Sequence, residues 1–245
     1  SSYLGGENID VCKSIAVDAS GAAFVTGTTL STGFPVTAAL KQTLSGASDA
    51  FLTKLSPAGD RFLFSTYLGG ESADDGSVVR VDKTGLVYVA GDTTSTGFPI
   101  TAGAMQRQYN GGYDGFVCGV ANDGSQIVFA TYLGGSGADA INDLFIGEDG
   151  RIVLAGYTSS VDFPAVQSFQ SSLGGQFDGF VAVLGANGRT LDFASYLGGG
   201  GDDRAYGVAP LGSGRLAVAG QVLAGTVSYM QRSFSSGVAG NQDGF

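Results

Sequence analysis

The sequence predicts an all-β chain built from one supersecondary unit that is repeated about four times. Three observations predict it. Ser65-Thr66-Tyr67-Leu68-Gly69-Gly70 recurs around Tyr3-Leu4-Gly5-Gly6, Tyr132-Leu133-Gly134-Gly135 and Tyr196-Leu197-Gly198-Gly199, so the tyrosines at 3, 67, 132 and 196 are 64, 65 and 64 residues apart. A second marker keeps the same beat at Asp49-Ala50-Phe51, Asp114-Gly115-Phe116, Asp178-Gly179-Phe180 and Asp243-Gly244-Phe245. The third is composition: 43% of residues are hydrophobic, which is ample for burial, and 42 glycines punctuate short runs rich in Val, Phe and Tyr without any collagen-like period. A period this long and this regular marks one folding unit stacked on its neighbours, each too small to hold a core alone.

The first full unit shows the plan. Ser14-Ile15-Ala16-Val17-Asp18 alternates as a short strand, Ala19-Ser20-Gly21 supplies the turn, and Ala23-Phe24-Val25-Thr26-Gly27 returns as its partner. The second unit repeats this hairpin as Val79-Arg80-Val81-Asp82, Lys83-Thr84-Gly85 and Val87-Tyr88-Val89-Ala90-Gly91. A long connection, 28–48, leads to the third strand Ala50–Leu55, where Thr37, like Thr101 in the next unit, is expected to cap a single helical turn. Ser56-Pro57-Ala58-Gly59 then turns the chain into the fourth strand, Phe62–Leu68, with proline presetting φ and glycine accepting left-handed geometry. Later units obey the same order until the last, where Pro210 enters strand one and Val227-Ser228 replaces Phe-Pro; the proline predicts an interrupted ladder. Four antiparallel strands per unit with no intervening helix fit a β-propeller blade. The expected organisation is a single array over 1–245, with repeats near 3–66, 67–131, 132–195 and 196–245, about four blades or a segment of a larger ring.

These motifs carry a resemblance. Ser65-Thr66-Tyr67-Leu68-Gly69-Gly70, Ile15-Ala16-Val17-Asp18, Val25-Thr26-Gly27-Thr28-Thr29, Phe34-Pro35-Val36-Thr37 and Asp49-Ala50-Phe51 together resemble the bacterial SBBP-type β-propeller repeat, over essentially the whole chain. The resemblance implies a secreted or surface bacterial protein with propeller-like repeats. It implies no single activity and supplies no catalytic residues. The chain starts inside a fourth strand and stops at the beginning of a third, which favours a ring segment whose open blade edges could pair with another chain.

Composition narrows function by exclusion. Twelve basic residues against 22 acidic ones give a net charge of −10, which opposes nucleic acid and anionic membranes as partners. No run of 18 apolar residues exists, so no membrane insertion by a helix is expected. With no histidine, imidazole catalysis and histidine metal sites are absent, and neither a Gly-x-Ser-x-Gly elbow nor a phosphate-binding loop occurs. Asp74-Asp75 and Asp202-Asp203 are adjacent carboxylates, but neighbouring strand or loop residues point apart, so a glycosidase pair is not expected. Cys12 and Cys118 fall in different repeats and are expected as two buried free thiols.

Candidate sites follow from topology. Loops after strand four and the long Phe-Pro loops share one face, where function is expected; the tight turns lie on the other. Phe34, Phe98 and Phe163 are expected to pack these loops onto their blades, and so are Leu40, Met105, Phe169 and Phe234, nine residues before each Asp of the second marker. Seven residues after each tyrosine stand Asp10, Asp74, Asp139 and Asp203. They allow two readings: a carboxylate cluster for Ca²⁺, or hydrogen bonds from each aspartate to its own loop amides. The second is preferred, because an aspartate present in every repeat serves folding first; Asp49, Asp114, Asp178 and Asp243 are read the same way. The Gly-Gly-x-Gly-x-Asp match at Gly134–Asp139 lacks the nine-residue tandem of calcium rolls and is a coincidence. The expected function is a non-enzymatic scaffold or binding module, without a required cofactor, meeting a protein or glycan partner on the loop face. The alternatives are a lectin-like propeller, with Tyr113, Tyr157, Phe177 and Tyr206 stacking on sugars, and a Ca²⁺-dependent adhesive segment.

Overall fold

The structure, a computed structural model, describes residues 3–212, 215–223 and 243–244. Among them there is no helix, and fifteen strands form four antiparallel sheets. Sheet one contains β1 (Asp10–Val17), β2 (Ala23–Thr29), β3 (Asp49–Leu55) and β4 (Phe62–Leu68) in chain order. Sheet two repeats it with β5 (Asp74–Val81), β6 (Val87–Thr93), β7 (Asp114–Val120) and β8 (Ile127–Leu133). Sheet three is β9 (Asp139–Ile146), β10 (Ile152–Thr158), β11 (Asp178–Leu184) and β12 (Leu191–Leu197). Sheet four has β13 (Arg204–Gly212), β14 (Arg215–Val222) and β15 (Asp243–Gly244). These sheets are β-propeller blades, each an all-antiparallel meander with short hairpins.

The chain divides into two compact units. Unit 1, with sheets one and two, comprises Ser1–Tyr109 and Gly115–Tyr132; unit 2, with sheets three and four, comprises Asn110–Asp114 and Leu133–Phe245. In unit 1, Phe24, Leu52 and Phe64 of sheet one are buried against Val79, Val89, Phe116 and Cys118 of sheet two. β5 lies so close to sheet one that a Cβ on Gly76 would meet the Thr26 hydroxyl at 2.6 Å and the Gly27 carbonyl at 2.9 Å. In unit 2, Val153, Ala155, Val181 and Leu197 pack against Ala205 and Val208 of sheet four.

One irregularity recurs in every sheet. The innermost strand skips one residue in its ladder, at Lys13, Ser77, Asn142 and Tyr206. A bulge of this kind turns its side chain out of the alternation and re-aims it. Just beyond it, the next amide is free to bond sideways to the preceding sheet: Val79 N–H donates to the Ser14 hydroxyl at 3.1 Å, and Val208 N–H to the Asp143 carboxylate at 3.0 Å.

The tight turns match their residues. Asp18 accepts from the Ser20 and Ala22 amides at 2.9 and 3.1 Å, and Asp82 repeats this with Thr84 and Leu86. In the second hairpin Gly59 has φ 68°, the left-handed geometry expected of it. Pro210 lies inside β13, and the register shifts between Pro210 and Gly212, as the proline predicts.

Several expectations need correction. Strand one begins earlier than its alternation suggests, at Asp10, because the bulge at Lys13 breaks the period of two. Thr37 and Thr101 cap no helical turn. Thr37 exchanges backbone bonds with Ser65 at 3.0 and 2.8 Å, and Thr101 N–H bonds the Ala130 carbonyl at 3.1 Å, so the loop runs extended along the outer strand and covers its edge. Cys12 is exposed on β1 rather than buried, while Cys118 is buried; both thiols are free. Leu40 and Phe169 are not buried plugs: Phe169 is 54% exposed and rests on Phe193 with ring centroids 5.9 Å apart. Phe234 and Val227-Ser228 lie outside the described residues.

Candidate binding site

The repeated residues converge on one another. In each of the first three sheets the Phe of Phe-Pro stacks on the Phe of Asp-x-Phe, with centroids 4.7, 4.4 and 4.6 Å apart for Phe34–Phe51, Phe98–Phe116 and Phe163–Phe180. The tyrosine of Tyr-Leu-Gly-Gly completes the cluster at 5.8, 6.3 and 5.7 Å. Its hydroxyl then fixes the loop: Tyr67 donates to the Ser31 carbonyl at 2.7 Å and accepts from Phe34 N–H at 3.2 Å. Tyr196 does the same with Ser160 and Phe163, and Tyr132 donates to the Ser95 carbonyl. Burial pushes the Tyr196 phenol up to about 12. The sequence markers are therefore the three walls of one loop anchor.

The repeated carboxylates are spent in the same way. Asp74 accepts from Gly70 N–H at 2.8 Å and the Ser95 hydroxyl at 2.9 Å, and also bonds Thr93. Asp10 and Asp139 repeat the glycine and serine bonds, and Asp203 takes the amides of Gly199 and Leu223. Asp49 and Asp114 of the second marker face Asp74 and Asp139 across the glycine after Tyr-Leu: a Cβ on Gly134 would meet Asp114 and Asp139 oxygens, both at 2.8 Å. Only glycine fits between two buried carboxylates. Desolvation pushes Asp74, Asp139, Asp178 and Asp203 up from the ordinary carboxylate range and Asp49 to about 6.

In repeat one the pair is relieved by an internal ammonium. Lys41 Nζ donates to Asp49 at 2.9 Å and to the carbonyls of Gly69 and Gly70 at 3.0 and 3.1 Å. In repeat three the amide of Gln170 replaces it, donating to Asp178 at 2.7 Å and accepting from Gly198 N–H at 3.1 Å. Among the described residues no group of three or more Asp, Glu, Cys or His stands ready to hold a metal ion. Asp10, Asp74, Asp139 and Asp203 occur one per sheet, each turned into its own loop.

A carboxylate latch closes the loop face. Glu7 accepts from the Thr32 amide and hydroxyl, both at 2.7 Å, and from Gly33 N–H at 2.9 Å. Glu71 repeats this on Thr96 and Gly97. Repeat three reverses the partners: Ser136 donates its amide and hydroxyl, both at 2.8 Å, to Asp162 on the opposite loop. These bonds, led by the Thr32 hydroxyl, hold the Glu7 carboxyl down at about 2.

What is left is the set of residues that do not repeat, and in unit 2 these converge. Arg204 lies over Tyr157 at 4.5 Å and Phe177 at 4.9 Å from their ring centroids, and the two rings meet edge-on at 5.7 Å. Asp202 grips the guanidinium through Nε at 3.0 Å and Nη2 at 3.2 Å, and these bonds keep it charged. The Tyr113 and Tyr157 hydroxyls lie 3.2 Å apart. Tyr206, on its bulge, is 50% exposed and donates to Gln221 Oε1 at 3.1 Å. Tyr113, Tyr157 and Phe177 are half-buried, so the four aromatic residues expected to stack on sugars are not equivalent.

Sequence reasoning missed Arg204 and Gln221, and weighed Asp202 only as one of two adjacent carboxylates. A signal was present: Arg204 stands where other repeats have Val11, Asp75 and Ala140, and Gln221 where they have Thr28, Asp92 and Tyr157. The corresponding edge of unit 1 is charged instead. Lys13 bonds Asp75 at 2.5 Å, and Asp92, which pairs with Asp75 across the ladder, is pushed up to about 7 by desolvation and then by Asp75.

Comparison with known proteins agrees with this architecture. A family model described as a beta-propeller repeat, SBBP, matches residues 1–35 and 63–99. Over these two stretches the chain matches the SBBP β-propeller repeat. Each matched stretch starts at or just before a Tyr-Leu-Gly-Gly motif and ends at or next to a Phe-Pro pair. No curated protein matches the chain. Among solved structures, a mannose phosphorylase from Leishmania mexicana, in complex with phosphate ion, is similar at 13% identity and a TM-score of 0.40, over 84% of this chain and 62% of that one.

Proposed function

We propose that this β-propeller module is a non-enzymatic binding module of a secreted or cell-surface bacterial protein, meeting its partner on the loop-bearing face. One observation carries the reading. Side chains shared by all repeats are used up in anchoring their own loops, whereas those confined to one or two repeats gather in unit 2 as Tyr113, Tyr157, Phe177, Asp202, Arg204 and Tyr206. This half-buried ion pair on an aromatic shelf sets charged hydrogen-bonding groups beside ring faces, a combination that supports recognition. The absence of histidine and the engagement of the repeated carboxylates support a role without catalysis. The net charge of −10 and the lack of basic clustering support a partner other than nucleic acid.

The test is a titration of the immobilised chain with oligosaccharides and with purified bacterial surface proteins, using chromogenic glycosides and esters as turnover controls. Saturable binding weakened by Arg204→Ala, without turnover, is expected. Turnover would refute the non-enzymatic reading, and binding that ignores every substitution in the cluster would refute its placement.

A further inference from the structure

A buried lysine joins the two sheets of unit 1 on the side of the tight turns. Lys54, on β3, is 7% exposed, and its Nζ lies 4.7 Å from the centroid of the Phe24 ring. In the turn between β7 and β8, it donates to the Asn122 side-chain oxygen and, at 3.2 Å, to the Asn122 carbonyl. Asp18 Oδ2, in the turn between β1 and β2, stands 3.4 Å from it. The far end of the same amide, Asn122 Nδ2, donates to the Gly85 carbonyl at 2.9 Å, which holds Oδ1 towards the lysine. The set is not part of the repeat: Gly119 and Val183 stand where Lys54 does, and Pro57 and Ala186 where Asn122 does.

We propose that Lys54 and Asn122 are the partners of an intramolecular isopeptide bond, formed by the chain itself with Asp18 as proton acceptor. An amine, a carboxamide and a carboxylate are the groups that this acyl transfer needs, and here they meet beside an aromatic ring, largely out of solvent. Because Nζ already bonds Oδ1, the amide carbon lies at most one C=O bond, about 1.2 Å, farther away, close to an attack position. Asp18 Oδ2 takes one proton from the ammonium, and the freed lone pair of Nζ attacks Cγ of Asn122. The Nζ–Cγ bond forms, a second proton passes from Nζ to Nδ2, and the Cγ–Nδ2 bond breaks with its electron pair leaving on ammonia. Asp18 then gives its proton to the ammonia, which departs as ammonium. The step consumes no oxidant and no cofactor.

Asp18 keeps its partners when the cation is gone. Its Oδ1 accepts from Ser20 N–H at 2.9 Å, the Ser20 hydroxyl at 2.6 Å and Ala22 N–H at 3.1 Å. Burial raises its carboxyl, but these bonds and the lysine hold it at about 2, so it is a weak base. Asp123, exposed in the same turn as Asn122, is the other acid that feels the Lys54 charge. Between these two carboxylates the removal of a proton from Nζ is the slow step, and alkaline solution speeds it. The bond joins residues 68 positions apart across two sheets and, like a disulfide, acts by restricting the unfolded chain. It is independent of the binding-module reading.

The experiment is mass spectrometry of the full chain, shown to be folded by circular dichroism, after incubation at about pH 6 and at about pH 9. The expected result is a mass one ammonia below that of the sequence, reached sooner at the higher pH, and a tryptic digest with one branched peptide joining Lys54 to Asn122. Lys54→Arg and Asn122→Ala are expected to keep the full mass, and Asp18→Asn to slow the conversion at least ~10-fold. A folded wild-type chain that keeps its full mass at both pH values would overturn the inference. So would a loss of ammonia that persists in Lys54→Arg, because a succinimide at Asn110-Gly111 or Asn187-Gly188 has the same mass. The branched peptide is read on the wild type, so the test stands even where a variant fails to fold.

Discussion

Replacing Tyr67 by Phe tests whether the loop anchor stabilises the blade through its hydroxyl or only through its rings. The Phe ring keeps the stack against Phe34, so only the oxygen is removed. Ser31 O then loses a bond of 2.7 Å and keeps only the Phe34 amide at 3.4 Å. Thr32 O loses a contact at 3.1 Å, and Phe34 N–H loses its bond of 3.2 Å to the phenol. Two to three buried or half-buried backbone groups go short of a partner around a side chain that is 1% exposed. At roughly 1 kcal/mol for each neutral bond, the expected loss is about 1–3 kcal/mol, or several degrees in melting temperature. Urea unfolding followed by circular dichroism reads it, with Tyr196→Phe as the same experiment in unit 2. If both variants lose less than about 0.5 kcal/mol, the hydroxyl is incidental and ring packing alone accounts for the recurring tyrosine.

Four further outcomes are expected. Lys41→Ala leaves the buried Asp49 carboxylate without its cation and should cost about 3–5 kcal/mol, whereas Lys41→Gln should be mild because Gln170 already performs that role in repeat three; equal losses would contradict this. The folded Asp92 carboxyl, raised to about 7, holds its proton more tightly than the unfolded chain does. Its contribution is therefore full below about pH 4 and is lost as pH rises towards 7, so melting should be higher at pH 5 than at pH 7.5, and Asp92→Asn should flatten that slope. In the latch, Asp162→Gly should lower the melting temperature and a second change, Ser136→Glu, should restore it by recreating the arrangement of repeats one and two; a double mutant no better than the single would show that the two loops are not coupled. Finally, Ca²⁺ and EDTA should give superimposable melting curves, because Asp10, Asp74, Asp139 and Asp203 already bond their own loops; a Ca²⁺-dependent rise would restore the adhesive-segment reading.

The candidate site was legible in part. Tyr113, Tyr157, Phe177 and Tyr206 stand out as aromatics absent from the shared motifs, but the sequence does not show that Tyr157 and Phe177 are half-buried against a guanidinium or that Tyr113 meets Tyr157 through its hydroxyl. Arg204 could not be found from local sequence, since its partners lie 47 and 27 residues away at Tyr157 and Phe177. The bulge that exposes Tyr206 was equally hidden: a skipped residue in a ladder depends on the partner strand and leaves only a break in alternation.

The sequence by itself determined the period, the four-strand unit and the preference for loop-bound aspartates, because these depend on local turn chemistry and on residues recurring every 64 or 65 positions. It also made the tyrosine of Tyr-Leu-Gly-Gly, the Phe of Phe-Pro and the Phe of Asp-x-Phe stand out, without saying that they touch. Tertiary structure alone decided that the three rings form one anchor, that glycine is needed where two carboxylates face each other, and that the outer edge is covered by extended loop instead of a capped turn. The physical reason is separation along the chain: Phe34 and Tyr67 lie 33 residues apart and meet only when four strands have paired.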